Sequence, residues 1–215
     1  MTVYAPPQAE LEVVYADGDL VAINKPAGLL SVPGRGADKA DCAQSRVEQR
    51  FPGALTIHRL DMATSGLLLF ALNKDMQRAL SGKFAAGEII KRYVADVWGV
   101  PQPAAGEINL PLITDWPRRP LQIVDREIGK PSVTRYETVS VSGGVARLAL
   151  SPLTGRSHQL RVHLAEIGHP ILGDEFYAHP DALAARSRLA LHAAGLSFLH
   201  PATGAPVSLD SPCPF

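Results

Sequence analysis

Residues 57–71 read Ile-His-Arg-Leu-Asp-Met-Ala-Thr-Ser-Gly-Leu-Leu-Leu-Phe-Ala, a short polar segment followed by an uninterrupted apolar run. Such a run after a turn is typical of a strand that is buried on both faces. The preceding Thr64-Ser65-Gly66 has turn chemistry, because glycine tolerates a positive φ. Asp61 is therefore expected near the mouth of a core strand. A carboxylate there costs free energy unless a charged or hydrogen-bonding partner meets it, so Asp61 is a candidate site residue.

Length and composition describe an ordinary globular chain. The 215 residues suffice for one large domain or two small ones that share a core, and we expect a flexible tail over 1–10 and a single domain over 11–215. The 21 basic and 21 acidic residues cancel, so any nucleic-acid footprint must be a local basic patch. No apolar run approaches the roughly 18–20 residues of a membrane span. Cys42 and Cys213 lack metal-site spacing, which predicts free thiols and a cytoplasmic protein.

Strand patterns outnumber helical patterns along the chain. Hairpin signals at 17–19 and 142–144 predict an α+β fold with a mixed, mainly antiparallel sheet and flanking helices. Asn73 is predicted to cap a helix that ends at Gly87. Residues 106–113 are predicted to form one strand. Ser157 is predicted to cap a helix that ends at Gly168.

The start of that last helix is a second site candidate. Residues 155–163 contain two arginines, two histidines and a glutamine, which is too polar for a routine core segment. Arg161 borders the buried face, since it follows Leu160. A guanidinium beside Asp61 would favour the ionised carboxylate, so we predict that Arg161 pairs with Asp61. A purely structural buried ion pair is the alternative.

Three motifs, in this order, resemble those of the RNA pseudouridine synthase family whose founder is RluA: His58-Arg59-Leu60-Asp61 with Thr64-Ser65-Gly66, Lys91-Arg92-Tyr93-Val94-Ala95, and Gly155-Arg156 with His158-Gln159-Leu160-Arg161. The resemblance covers nearly the whole chain and is greatest to the short founding member. It implies a pseudouridine synthase fold with a central active-site cleft and without a separate N-terminal RNA-binding domain. It also implies isomerisation of uridine to pseudouridine in stem-loops of 23S rRNA and of the tRNA anticodon arm, with no metal or redox cofactor.

The resemblance also implies roles for individual residues. Asp61 matches the catalytic aspartate, Arg59 the arginine that takes the space of the flipped base, and Tyr93 the tyrosine that stacks on the target uracil. Arg161 matches the arginine that pairs with the catalytic acid, and Leu191 lines the base pocket. A base must leave its stack to be turned over, so an intruding side chain and a stacking ring suit this chemistry. We further assign His58 and Thr64 to the base pocket, and to RNA binding Lys91, Arg92, Arg118, Arg119, Lys130 and Arg156.

Two other functions remain as alternatives. The first is an inactive RNA-binding protein, although binding alone does not require a buried acid. The second is a metal-dependent hydrolase that uses His58, Asp61, His158, His163, His169 and Asp174. His158 and His163 are five residues apart, which is a poor match for a shared metal on a helix. Each basic cluster can also be a solvated face. We expect a monomer without a membrane association.

Overall fold

The computed structural model describes residues 4–215, whose contacts divide the chain into two compact units. The first unit contains the chain up to Ile90 together with Ala193–Pro214, and the second contains Lys91–His192 with Phe215. A single domain over residues 11–215 stays a prediction. The first three residues of the expected tail lie outside the described residues, whereas the Tyr4 hydroxyl donates a hydrogen bond to the Asp41 carbonyl (2.9 Å). No helix among the described residues is long and apolar enough to cross a membrane.

Twelve strands and four helices form the described chain. The strands are β1 Glu12–Ala16, β2 Leu20–Lys25, β3 Leu55–Thr56, β4 Ser65–Ala71, β5 Ile90–Trp98, β6 Ala105–Asn109, β7 Leu112–Thr114, β8 Gln122–Val124, β9 Val133–Ser142, β10 Val145–Pro152, β11 Leu191–Leu199 and β12 Pro206–Asp210. The helices are α1 Ala43–Arg50, α2 Lys74–Ala86, α3 Gln159–Glu166 and α4 Pro180–Ala184, with 3₁₀ turns at Ala37–Lys39 and Trp116–Arg118. The α+β class is confirmed.

The first unit is built on a sheet in the order β1-β2-β4-β11, with β3 beside β4 and β12 beside β11, and it contains β11 from Ala193 onward. The pairs β1–β2, β2–β4, β3–β4 and β11–β12 are antiparallel. All seven residues of β4 are buried, which confirms the strand that the apolar run predicts. Gly66, the second residue of this strand, has a φ of 112°, and a Cβ there would lie 2.3 Å from the Ala193 carbonyl oxygen. Only glycine therefore fits at this position.

Helix α2 packs its apolar side chains into the core of the first unit, where Met76 and Leu80 join the residues of β4. The Asn73 side chain accepts a hydrogen bond from the Met76 amide (2.8 Å), as expected of an N-cap. Gly87 ends the helix in the left-handed region, with a φ of 74°. Both predicted ends of the helix are confirmed.

The second unit contains strands in the order β5-β10-β9-β6 and a separate antiparallel pair, β7–β8. The pairs β5–β10, β9–β10 and β6–β9 are antiparallel. The prediction of one strand over residues 106–113 is wrong. The chain breaks at Leu110 and Pro111, because proline has no amide to continue the ladder, and the next residues pair with β8 instead.

Helix α3 does not begin where the sequence predicts. Its N-cap is His158, a non-glycine residue with a φ of 54°, so the prediction of Ser157 as the cap is wrong. The Gln159 side chain instead holds the segment before the helix, because its Oε1 accepts hydrogen bonds from the Arg156 amide (3.0 Å) and the Thr154 hydroxyl (2.7 Å). The first helical residue, Gln159, thus fixes the turn that precedes the helix, where a serine cap was expected.

Candidate active site

The loop that carries Asp61 is fixed on both sides of this residue. The Ser31 hydroxyl donates a hydrogen bond to the Leu60 carbonyl (2.7 Å) and lies 3.0 Å from the Leu60 amide, for which it is the acceptor. The Met62 carbonyl accepts hydrogen bonds from the Gly28 amide (2.8 Å) and the Lys25 ammonium (3.1 Å). The backbone at positions 60 and 62 is therefore held, and the direction of the Asp61 side chain is constrained.

Lys25 is a site residue that the sequence reasoning missed. Its side chain is 0% exposed, and its ammonium also donates to the carbonyls of Pro26 (2.9 Å) and Leu29 (2.7 Å). A buried ammonium is tolerated where such acceptors replace water. The available signal was a lysine at the end of β2, a strand whose first four residues are apolar. Its charge is fixed directly against the loop that presents Asp61.

The other residues of this loop differ in exposure. Asp61 is half-buried, and its carbonyl accepts a hydrogen bond from the Thr64 amide (3.1 Å), which closes a turn before β4. Thr64 is buried, and its assignment to the base pocket stays a prediction. Arg59 is exposed, so its side chain is free of the core and can extend into solvent.

His58 supports the loop from the inside. Its Nε2 accepts a hydrogen bond from the Leu69 amide (3.1 Å), and its ring stacks on Phe84 at 4.5 Å between centroids. Strand β3 pairs with β4 only at Leu55 and Thr56, so the imidazole provides the acceptor where the ladder stops. These contacts favour a structural role in the loop. Its assignment to the base pocket stays a prediction.

In the second unit, Arg161 forms a bidentate ion pair that the sequence reasoning did not identify. Its Nε and Nη2 donate to the two carboxylate oxygens of Asp174 at 2.8 and 2.6 Å. Arg161 is 4% exposed and Asp174 is fully buried. The guanidinium also lies 5.0 Å from the Phe176 ring centroid and 5.3 Å from that of Tyr177. The structure therefore fixes Arg161 through Asp174, and its pairing with Asp61 stays a prediction.

Tyr93 and the two basic residues before it lie on β5. Tyr93 is half-buried and pairs across the sheet with Leu150 of β10. The Lys91 ammonium donates to the Thr154 carbonyl (3.1 Å), and burial lowers the pKa of Lys91 below its ordinary value. Arg92 is exposed. Of this basic pair, Arg92 is thus the side chain better placed to meet a ligand from solvent.

The remaining predicted site residues also lie in the second unit. Arg118 is anchored by an ion pair to the buried Asp115, with 2.6 Å between Nε and the nearer carboxylate oxygen. The Arg156 Nε donates to the Pro131 carbonyl (3.3 Å). Arg118, Arg119, Lys130 and Arg156 are exposed, and Leu191 is buried. The four basic side chains are therefore available to an anionic ligand.

One group of three potential metal ligands occurs within residues 4–215. It consists of Asp17, Asp19 and His200, whose ligand atoms lie within 4.8 Å of one another, and none of them belongs to the hydrolase alternative. Asp17 already accepts hydrogen bonds from the Tyr15 hydroxyl (2.6 Å) and the Asp19 amide (2.8 Å). These bonds place Asp17 and Asp19 in the turn of the β1–β2 hairpin, and the His200 Nε2 lies 3.2 Å from the Asp17 carboxylate.

Comparisons with known proteins show the family to which the chain is similar. A family model described as RNA pseudouridylate synthase matches residues 19–166. The chain is 50% identical over 214 residues to a "Dual-specificity RNA pseudouridine synthase RluA" of Escherichia coli strain K12, covering 99% of this chain and 98% of that protein. A protein of the same name from Vibrio cholerae is 48% identical over 216 residues, covering 100% and 88%. The solved structure of human RNA Pseudouridylate Synthase Domain Containing 1 matches with a TM-score of 0.80 and 31% identity, covering 98% and 87%.

Proposed function

The chain belongs to the RNA pseudouridylate synthase family, and on this premise we propose that it isomerises uridines of structured RNA to pseudouridine with Asp61 as the catalytic carboxylate. The observation that carries the assignment is the double support of the Asp61 loop by Ser31 and Lys25. A reacting group held in this way loses little freedom when the substrate binds. A protein that only binds RNA does not require a carboxylate whose loop is held by two buried side chains, Ser31 and Lys25.

The reaction is an isomerisation in which atoms balance within the nucleoside. The N1–C1′ bond breaks, the base rotates, the C5–C1′ bond forms, the C5 proton leaves, and N1 gains a proton. An ionised Asp61 can attack C1′ or C6, or remove the 2′ hydrogen to give a glycal. All three routes need the carboxylate close to the ribose or the base of the flipped nucleotide.

The roles of the neighbouring residues combine the family motif with what each side chain contacts. The exposed Arg59 fills the stack that the target base leaves, and Tyr93 stacks on the flipped uracil. Arg161 keeps Asp61 ionised through its positive charge, while Asp174 holds the guanidinium in place. Leu191, Thr64 and His58 line or support the base pocket. Each of these assignments rests on the family motif together with the burial and contacts of the residue.

The substrates are stem-loops in large-subunit rRNA and in the tRNA anticodon arm. Two proteins named dual-specificity synthases are each at least 48% identical to this chain over nearly its whole length, which supports this choice. The RNA backbone is bound by Lys91, Arg92, Arg118, Arg119, Lys130 and Arg156. Because each phosphate contact releases counterions, affinity falls as salt rises. We expect the chain to act as a monomer in the cytoplasm.

Two unmodified transcripts test this proposal, one an anticodon stem-loop and the other a large-subunit rRNA hairpin. Each is incubated with the protein and a chelator, and pseudouridine is read by carbodiimide-blocked reverse transcription. A fully paired duplex of the same length is the control. We expect product in both stem-loops and none in the duplex. Product in one stem-loop alone would remove the dual specificity, and binding without product would favour the inactive RNA-binding protein.

A further inference from the structure

The second unit presents an exposed aromatic side chain, Trp116, outside the residues assigned to the reaction. Trp116 begins the 3₁₀ turn after β7, and 62% of its surface is exposed. Single exposed apolar side chains are common, so exposure alone indicates little. The Arg119 guanidinium, however, lies 4.0 Å from the centroid of the indole ring. With this much of the residue still exposed, the guanidinium covers only one ring face.

The segment that presents Trp116 is held in shape by its own hydrogen bonds. The Asp115 amide donates to the Leu121 carbonyl (2.9 Å), and the Leu121 amide donates to the Arg118 carbonyl (3.1 Å). The Arg119 Nε donates to the Trp116 carbonyl (3.3 Å). The indole and guanidinium are therefore ordered together before any ligand binds, which lowers the entropy lost on binding.

The charge of the segment favours an anionic ligand. Residues 115–120 contain two arginines and one acid, and this acid, Asp115, is buried and paired with Arg118. The exposed part is thus cationic and aromatic at once. A ligand that offers both a flat ring and a negative charge matches it, and an unpaired nucleotide of an RNA loop has both features. An acidic peptide would use the charge but leave the indole without a flat partner.

We propose that Trp116 is a stacking platform for an unpaired base of the RNA substrate, a base other than the flipped uridine. The base stacks on the face of the indole that Arg119 leaves uncovered. The indole then lies between the base and the Arg119 guanidinium. The neighbouring phosphate lies against Arg118. This inference rests on the proposed function, because it takes an RNA stem-loop as the ligand, and it adds a contact that selects single-stranded loops over duplexes.

The chain has two tryptophans, which gives a direct optical test. Trp98 is 38% exposed and lies edge-on to His179, so a Trp98→Phe variant leaves Trp116 as the single indole reporter. We titrate this variant with the unmodified anticodon stem-loop and with a fully paired duplex of equal length. Stacking of a base quenches the Trp116 emission, so we expect strong quenching by the stem-loop and little by the duplex. Equal emission changes with both RNAs would overturn the proposal.

Affinity gives the second measurement. We expect Trp116→Ala to weaken stem-loop binding by about 5- to 150-fold and Trp116→Phe to retain most of it, because a phenyl ring still stacks. Binding of the duplex should be equal in all three proteins, and equal thermal unfolding excludes a folding defect. If Trp116→Ala binds the stem-loop as tightly as the wild type, the proposal is wrong. Product formation by the wild type is scored separately, so a failure of the proposed function is distinguished from a failure of this contact.

Discussion

The support of the Asp61 loop by Ser31 predicts a combined loss of stability and turnover in a Ser31→Ala variant. The hydroxyl makes both hydrogen bonds to the Leu60 backbone, and Ser31 and Leu60 are both buried. A buried polar group that loses its hydrogen-bond partner costs about 1–3 kcal/mol. The Leu60 amide and carbonyl both lose their partner in this variant. Because water replaces part of the lost bonding, we expect the free energy of unfolding to fall by about 2–4 kcal/mol. A displacement of the reacting group by about 1 Å lowers turnover by about 10- to 100-fold.

The assay for Ser31→Ala has two parts. Urea unfolding followed by circular dichroism gives the change in the free energy of unfolding, and single-turnover pseudouridine formation at saturating RNA gives the rate. Ser157→Ala is the matched control, because Ser157 is exposed. A Ser31 variant as stable and as active as the Ser157 variant would show that the Ser31 hydroxyl does not support the Asp61 loop. A stable Ser31 variant with reduced turnover would refute the stability estimate alone.

Three further predictions concern other parts of the two units. Gly66→Ala should cost more than about 3 kcal/mol in urea unfolding, because its φ is 112° and its Cβ would enter backbone, whereas the unobstructed Gly82→Ala in α2 should gain about 0.5–1 kcal/mol. Burial lowers the pKa of His163 below 6.5, so the unfolded chain takes up a proton first as pH falls. Stability should therefore drop from about pH 6.5 down to the lowered folded pKa, and a His163→Gln variant should lack this slope in unfolding measured across pH. Asp174→Asn should cost about 3–5 kcal/mol and lower turnover at saturating RNA more than RNA affinity, because Arg161 loses a buried counter-charge.

The elements that the sequence predicts correctly are those whose signals lie within a few residues. Strand β4 follows from an unbroken apolar run, and helix α2 from Asn73 and Gly87 at its two ends. The prediction of Ser157 as the N-cap of α3 is wrong because a side chain outside the local capping pattern holds this turn. Serine is a preferred cap, yet the side chain of Gln159 organises the preceding turn through contacts with Thr154 and Arg156, and this arrangement overrides the local preference.

The contacts that shape the candidate site depend on residues distant in sequence. Lys25 meets the Met62 carbonyl 37 residues further on, and Arg161 meets Asp174 across 13 residues. A local pattern contains neither pairing, because each depends on how strands and loops pack. The motif thus leads to a proposal for which residues react, while the contacts of Lys25 and Asp174 required the folded structure.

The Asp61→Asn variant tests whether Asp61 is the catalytic carboxylate. Asparagine keeps the size of the side chain and removes the charge, so the loop fixed by Ser31 and Lys25 should stay folded. Stem-loop affinity and single-turnover pseudouridine formation are measured in the same preparation, beside the wild type. We expect RNA binding close to that of the wild type and no pseudouridine. Pseudouridine formed at the wild-type rate would contradict the assignment of Asp61 as the catalytic carboxylate.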